Sequence, residues 1–188
     1  MPRQKNQLRV IGGDHRGRRL HFPDARGLRP TADRVRETLF NWLQGEVHGR
    51  HVLDLFAGSG ALGVEALSRG AAWVSFVERA GPAARQLREN LALLREQARS
   101  EVVQGEAQPW LRQDRRTWDL VLLDPPFADG FLPGICEELE TGGHLQERAW
   151  VYLEQDASHP WPDLPRNWQV HREGGVGQAA FRLIHRIG

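Results

Sequence analysis

Four consecutive apolar residues, Leu120-Val121-Leu122-Leu123, run straight into Asp124-Pro125-Pro126-Phe127. An unbroken leucine- and valine-rich run reads as a strand buried on both faces, the habit of parallel sheets. Two prolines then end it, since neither can donate to a sheet ladder. The pattern predicts a carboxylate, a rigid turn and an aromatic ring at the carboxyl end of a core strand. In open α/β sheets that edge is where ligands bind. An acceptor carboxylate, fixed backbone carbonyls and a stacking ring suit a flat base held by its exocyclic amine.

The rest of the chain supplies a sheet for this strand. Strand patterns at 52–55, 73–77, 101–104, 119–123 and 149–154 alternate with helix patterns at 61–68, 82–98, 107–112 and 132–140. In the longest of these helices Ala84, Leu87, Leu91 and Leu94 form one apolar stripe. Segments 168–172 and 179–186 read as a closing hairpin around a Gly174-Gly175-Val176-Gly177 turn. The alternation predicts an α/β fold: a doubly wound, mostly parallel seven-stranded sheet with one antiparallel strand. Ahead of it, residues 1–7 read as frayed and 8–22 as a hairpin turning through Gly12-Gly13-Asp14-His15-Arg16-Gly17. Leu28-Arg29-Pro30-Thr31 then leads into a helix. Thr31 is its expected N-cap, Asp33 lies in the first turn, and Val35, Leu39, Trp42 and Leu43 share a face. The division expected is a basic N-terminal appendage, 1–45, packed on a domain spanning 46–188.

Composition narrows the setting. The net charge of +1 hides an asymmetry: residues 1–36 hold ten Lys and Arg against three acids, and the remainder fifteen against twenty-one. A basic segment on a mildly acidic body suggests an anionic partner, nucleic acid first. Arg16, Arg18, Arg19, Arg29, Arg34 and Arg36 are the candidate RNA contacts. A solvated face or pairing with local acids is the alternative for them, and for Arg34, with Thr31 and Glu37, so is the cofactor pocket. The single Cys136 falls in an apolar helix pattern and fits a reducing compartment. The eight histidines lack metal-ligand spacing, and no metal is expected. No apolar run approaches the ~18 residues of a membrane span, and no signal-peptide pattern opens the chain. A cytoplasmic protein without membrane contact is expected.

A second candidate site surrounds the first core strand. Asp54-Leu55-Phe56-Ala57-Gly58-Ser59-Gly60-Ala61-Leu62-Gly63 contains the Gly58-x-Gly60-x-x-Gly63 spacing of nucleotide-binding loops. Asp54, Phe56, Ala57, Gly58 and Gly60 are therefore expected at a cofactor, and so is Asp124 at the end of the other core strand. A tight turn without a ligand would use the same glycines. Glu78, with Arg79 after it, ends the second strand twenty residues past Gly58, where an acid accepts ribose hydroxyls. Glu106 and Ala107 follow the third strand, where a side chain meets an adenine amine; Glu106 also suits a helix start. The glycine loop alone does not choose between nucleotide cofactors. Asp124, Pro125, Pro126 and Phe127 favour methyl transfer to an amine over hydride transfer, for which they have no use. Asp124 and the Pro125 carbonyl would accept the amine hydrogens, and Phe127 would stack on the base. The plainer alternative places Phe127 in the core.

Asp54-x-Phe56-x-Gly58-x-Gly60 together with Asp124-Pro125-Pro126-Phe127 resembles the S-adenosylmethionine-dependent methyltransferases of exocyclic base amines. The N-terminal stretches Arg9-Val10-Ile11-Gly12-Gly13, Arg16-Gly17-Arg18, Leu28-Arg29-Pro30-Thr31, Asp33-Arg34-Val35-Arg36-Glu37 and Leu39-Phe40-Asn41-Trp42-Leu43 narrow the likeness. With Gly63-x-Glu65-Ala66-Leu67-Ser68-Arg69, they resemble the RsmD-type bacterial 16S rRNA guanine-N2 methyltransferases. The resemblance implies a Rossmann-like methyltransferase using S-adenosylmethionine on one guanine of 16S rRNA, including rRNA within an assembling small subunit. A monomer is expected. Glu106 departs from the smaller Asp or Asn expected there. An adenine-N6 methyltransferase on DNA or other RNA, a nicotinamide-dependent oxidoreductase and a non-catalytic RNA-binding module remain as alternatives.

Overall fold

The structure is a computed structural model that describes residues 6–23, 32–127 and 130–188. Seven strands form the central sheet: β3 (His51–Asp54), β4 (Trp73–Glu78), β5 (Ser100–Gln104), β6 (Trp118–Leu123), β7 (Leu145–Asp156), β8 (Trp168–Val176) and β9 (Ala179–Arg186). Their spatial order is β5-β4-β3-β6-β7-β9-β8. All neighbours up to β7 pair in parallel, and β9 is antiparallel to both β7 and β8. The expected mostly parallel sheet with one antiparallel strand is what forms. A separate antiparallel pair, β1 (Asn6–Arg9) and β2 (Arg19–Phe22), precedes it.

Side chains alternate across the strands into two cores. Val52, Leu120, Leu122 and Tyr152 face one side, where they meet α1 (Asp33–Trp42), α2 (Ala61–Ser68) and α3 (Gly81–Leu94). Leu53, Val121, Leu123 and Leu153 face the other, where they meet α4 (Ala107–Gln113) and α5 (Leu132–Thr141). Strands buried on both faces need apolar residues at every position, which is why they read as continuous runs. Leu8, Leu20 and Phe22 of the β1–β2 pair, with Val10 just after β1, join the first core. Cys136 is buried in the second.

Four local expectations are corrected. Asn6 and Gln7 do not fray: they pair with Phe22 and His21. The long helix stops at Leu94, not Ala98, because Arg95 takes a left-handed φ of 60° and turns the chain. Gly174, Gly175 and Val176 are strand, and Gly177-Gln178 alone makes the hairpin turn. Gly174 serves packing instead: a Cβ there would come within 3.0 Å of Phe181 and 3.3 Å of Trp42. Trp42 is half-buried, its ring 5.4 Å from that of Phe181. Thr31 and the stretch 28–31 lie outside the described residues. Ala32 occupies the N-cap position of α1, with no side-chain cap bond.

The strand order reverses between β3 and β6. The chain winds outward through β4 and β5, then returns across β3 to β6. The crevice beyond the carboxyl ends of β3 and β6 is thus the topological switch point.

Candidate active site

β3 delivers Asp54 to this crevice. Its buried side chain accepts the Gly63 N–H on Oδ2 at 3.0 Å. Burial, with the charges of Asp124 and Glu78 nearby, pushes its carboxyl up to about 7 against the pull of the Gly63 bond. The loop that follows needs its glycines for different reasons. Gly60 has a φ of 81°, and a Cβ there would lie 2.4 Å from the Leu87 side chain. A Cβ at Gly63 would lie 2.3 Å from the Phe76 ring. Those two allow α2 to seat against α3 and β4. Gly58 has a φ of 55°, yet a Cβ there would meet only the Phe56 carbonyl, at 4.0 Å. The loop faces open space at Gly58, so its backbone is where a ligand can approach.

Glu78 ends β4 beside this loop. Its carboxylate accepts the N–H of Gly58 at 2.8 Å and of Ala80 at 2.7 Å. Arg79 is exposed. The Glu78 carbonyl accepts the Gly105 N–H at 3.0 Å, bringing Glu106 to the same edge. Glu106 stands at the N-cap position of α4 with an exposed side chain that caps no helix N–H, a place that suits both a helix-dipole partner and a ligand contact. Ala107, half-buried, opens the helix.

On the other side of the switch point, Asp124 lies one residue past β6 and is half-buried. Pro125 is buried, Pro126 is exposed, and Phe127 is 39% exposed. The plainer alternative of a core Phe127 is therefore overturned. A cavity of about 400 Å³ opens beside this turn, with Pro125, Phe127, Phe131, Glu154 and Trp161 among its walls. Its size and mainly aromatic and proline lining suit a small flat ligand. Phe56 connects the two halves of the site, its ring 5.5 Å from that of Phe131.

The family model described as Conserved hypothetical protein 95 matches residues 8–185. Ribosomal RNA small subunit methyltransferase D of Escherichia coli strain K12 is 46% identical over 180 residues, covering 96% of this chain and 90% of that one. The protein of the same name from Haemophilus influenzae is 40% identical over 185 residues, covering 97% and 95%. The solved Escherichia coli protein described as putative methyltransferase yhhF superposes with a TM-score of 0.88 at 45% identity, covering 97% of this chain and 99% of that chain. The chain belongs to the small-subunit rRNA methyltransferase D family.

Membership gives the N-terminal segment a context. The turn between β1 and β2 docks on the last residue of α2: Asp14 N–H donates to the Ser68 carbonyl at 2.8 Å, and His15 N–H to Ser68 Oγ at 2.9 Å. A Cβ at Gly13 would lie 1.8 Å from that carbonyl. Helix α2 starts at the ligand edge, so its last residue lies at the opposite edge of the sheet. Arg16, Arg18 and Arg19 are exposed there, with Arg18 reaching the Leu93 carbonyl near the end of α3. Arg34 and Glu37 are exposed on α1, and Arg29 lies outside the described residues. Helix α1 runs alongside α2, Arg36 beside Glu65 and Phe40 beside Arg69. That direction places Arg34 toward the ligand edge.

Arg36 corrects the sequence reading. It is fully buried, paired with Asp33 and with Glu65 at 3.6 Å, and closed to phosphate. Its charge is balanced inside the protein, as burial demands. Glu65 is the staple of the segment. It accepts the N–H groups of Ile11 at 2.9 Å and Gly12 at 2.8 Å, and pairs with Arg69 at 2.9 Å. Sequence reasoning also passed over Glu154. Burial and the charge of Asp124 push its carboxyl well above the usual carboxylate range, while the Tyr152 hydroxyl, donating at 2.7 Å, works against the shift. The signal was present: an acid closes the apolar run Val151-Tyr152-Leu153 as Asp124 closes Leu120-Val121-Leu122-Leu123.

Proposed function

We propose that this chain transfers a methyl group from S-adenosylmethionine to the exocyclic N2 of one guanine in the 16S rRNA of the small ribosomal subunit. The observation that carries this reading is the position of Asp124 and its proline turn, between the glycine loop and the cavity beside Phe127. The residues present fit the donor. Gly58 leaves open space beside the loop backbone, Glu78 offers a carboxylate for ribose hydroxyls, and Glu106 and Ala107 stand at the same edge for the adenine. When bound, S-adenosylmethionine supplies an electrophilic methyl group on its sulfonium.

The chain's own residues act on the acceptor. The N2 lone pair of guanine is delocalised into the ring, which makes it a poor nucleophile. Asp124 accepts one amine hydrogen and the Pro125 carbonyl the other, which orients the nitrogen and enriches its electron density. The proton that N2 sheds on gaining a methyl group passes to Asp124 and out to water. Phe127 stacks on the base. Orientation of the amine supplies much of the acceleration. The guanine must leave its stack to enter the cavity. Arg16, Arg18, Arg19 and Arg34 hold phosphates along one flank of the protein. The reading includes a cytoplasmic monomer acting on rRNA within an assembling subunit.

Mass mapping of methylated nucleosides in rRNA from a strain lacking the protein tests this. One N2-methylguanosine of the small subunit should disappear and return with the wild-type chain but not with Asp124→Ala. Loss of an N6-methyladenosine would redirect the reading to adenine, and an unchanged map would overturn it.

A further inference from the structure

Strand β7 places a second acid beside Asp124. Leu123 of β6 pairs in parallel register with Leu153 of β7, so the next residues, Asp124 and Glu154, stand side by side on neighbouring strands. Parallel neighbours lie about 4.8 Å apart, close enough for both side chains to reach one small ligand. Glu154 is only 5% exposed, and what remains accessible lines the cavity shared with Pro125 and Phe127. Its Oε2 accepts the Tyr152 hydroxyl at 2.7 Å, which fixes the carboxyl from below. Among the described residues no hydrogen bond reaches Oε1. A carboxyl fixed through one oxygen at a cavity wall, whose other oxygen takes no donor from the described residues, can receive one from the occupant.

The occupant's chemistry says which donor. The 2-amine of guanine is flanked by N1 and N3, so a base whose 2-amine meets Asp124 and whose N1 side faces β7 sets N1 beside Glu154. In guanine N1 carries a hydrogen. We propose that Glu154 is a specificity-determining residue whose Oε1 accepts the N1–H of the target guanine, while Asp124 accepts a hydrogen of N2. The inference rests on the guanine-N2 reading above and names the group that distinguishes guanine from purines with the same amine. Charged or neutral, the carboxyl keeps an acceptor oxygen for this bond.

2-Aminopurine tests it, because that base keeps the 2-amine and lacks the N1 hydrogen. Single-turnover methylation of a target RNA carrying guanine or 2-aminopurine at the acceptor position should favour guanine roughly 10- to 100-fold in the wild type, the scale of one hydrogen bond to a buried or charged acceptor. Glu154→Gln keeps an acceptor oxygen and should retain the preference. Glu154→Leu should bring the two rates close together with cofactor affinity unchanged. Equal rates on the two bases in the wild type would overturn the inference without any variant, as would an undiminished preference in Glu154→Leu. Failure of the guanine-N2 reading itself would look different: the wild type would leave no N2-methylguanosine in the guanine RNA.

Discussion

Glu78 at the ligand edge and Glu65 in the middle of α2 each accept two backbone N–H groups, at 2.7–2.9 Å. In Glu78 the donors are Gly58 and Ala80, from the glycine loop and the chain just after the strand. In Glu65 they are Ile11 and Gly12, from a segment far away in sequence. Glu65 is 0% exposed and has Arg36 and Arg69 as counter-charges. Glu78 is 9% exposed, borders open space, and has no ion pair among the described residues. The same bonding pattern thus makes a staple in one place and, in the function proposed above, a receptor in the other. Counter-charge and access decide which, since a carboxylate already neutralised inside the protein has nothing left to offer a ligand.

Removing the staple should have the largest effect. Glu65→Ala strips the acceptor from two backbone donors and leaves Arg36 and Arg69 short of one carboxylate. The expected loss is about 3–5 kcal/mol of folding stability, the scale for breaking a buried ionic cluster. Urea unfolding would read it. A loss below about 1 kcal/mol, the value of an exposed pair, would break the comparison at its structural end.

Next comes the chemistry at the other edge. Asp124→Ala should lower turnover on the order of 100- to 1000-fold, as removal of one preorganised electrostatic group does. The protein should stay folded and keep binding RNA. Asp124→Asn should be milder, because an amide oxygen can still take the amine hydrogen. Single-turnover kinetics at saturating cofactor and RNA separate these outcomes. A near wild-type rate for Asp124→Ala would remove the residue from the chemistry.

Glu78→Ala should cost less and register differently from Glu65→Ala. Loss of a charged hydrogen-bond acceptor predicts cofactor affinity weaker by roughly 1.5–3 kcal/mol, with stability little changed. Calorimetry with S-adenosylmethionine reads the first and urea unfolding the second. A stability loss as large as that of Glu65→Ala, with affinity intact, would make Glu78 a second staple.

How much of this was legible depended on how local the cause was. Helix α2 matches its expected bounds, and the core strands match to within a few residues, because burial on both faces writes itself into consecutive residues. The places of Asp54, Glu78 and Asp124 at the carboxyl ends of strands were legible because each ends such a run. Arg36 was misread because its partner Glu65 is brought to it only by the packing of α1 on α2. Gly174 was misread because the rings of Phe181 and Trp42, which exclude a side chain there, meet only in the folded sheet. Glu154 needs the register between β6 and β7 before its place beside Asp124 is visible.

The smallest expected effect tests whether RNA reaches from one region to the other. Arg16, Arg18 and Arg19 are exposed on a turn fixed to the end of α2, while the cavity proposed for the guanine lies beyond the carboxyl ends of β6 and β7. At 1.5 Å per residue, the 8 residues of α2 and 14 of α3 separate those edges by roughly 12–21 Å. RNA bound at the cavity must extend that far along the flank to meet the three arginines. If it does, replacing all three by Ala should flatten the salt dependence of RNA binding by about 0.7–0.9 in log–log slope for each phosphate no longer neutralised. Single-turnover methylation at saturating RNA should stay near wild type, since none of the three reaches the acceptor. Their guanidinium groups also leave cofactor affinity untouched. An unchanged slope in the folded triple variant would confine the RNA footprint to the ligand edge and leave Arg34 on α1 as the nearer candidate for phosphate. A collapsed methylation rate with the slope intact would instead mean that the turn positions the catalytic edge through Glu65 and α2, coupling the two regions through the fold and not through the RNA.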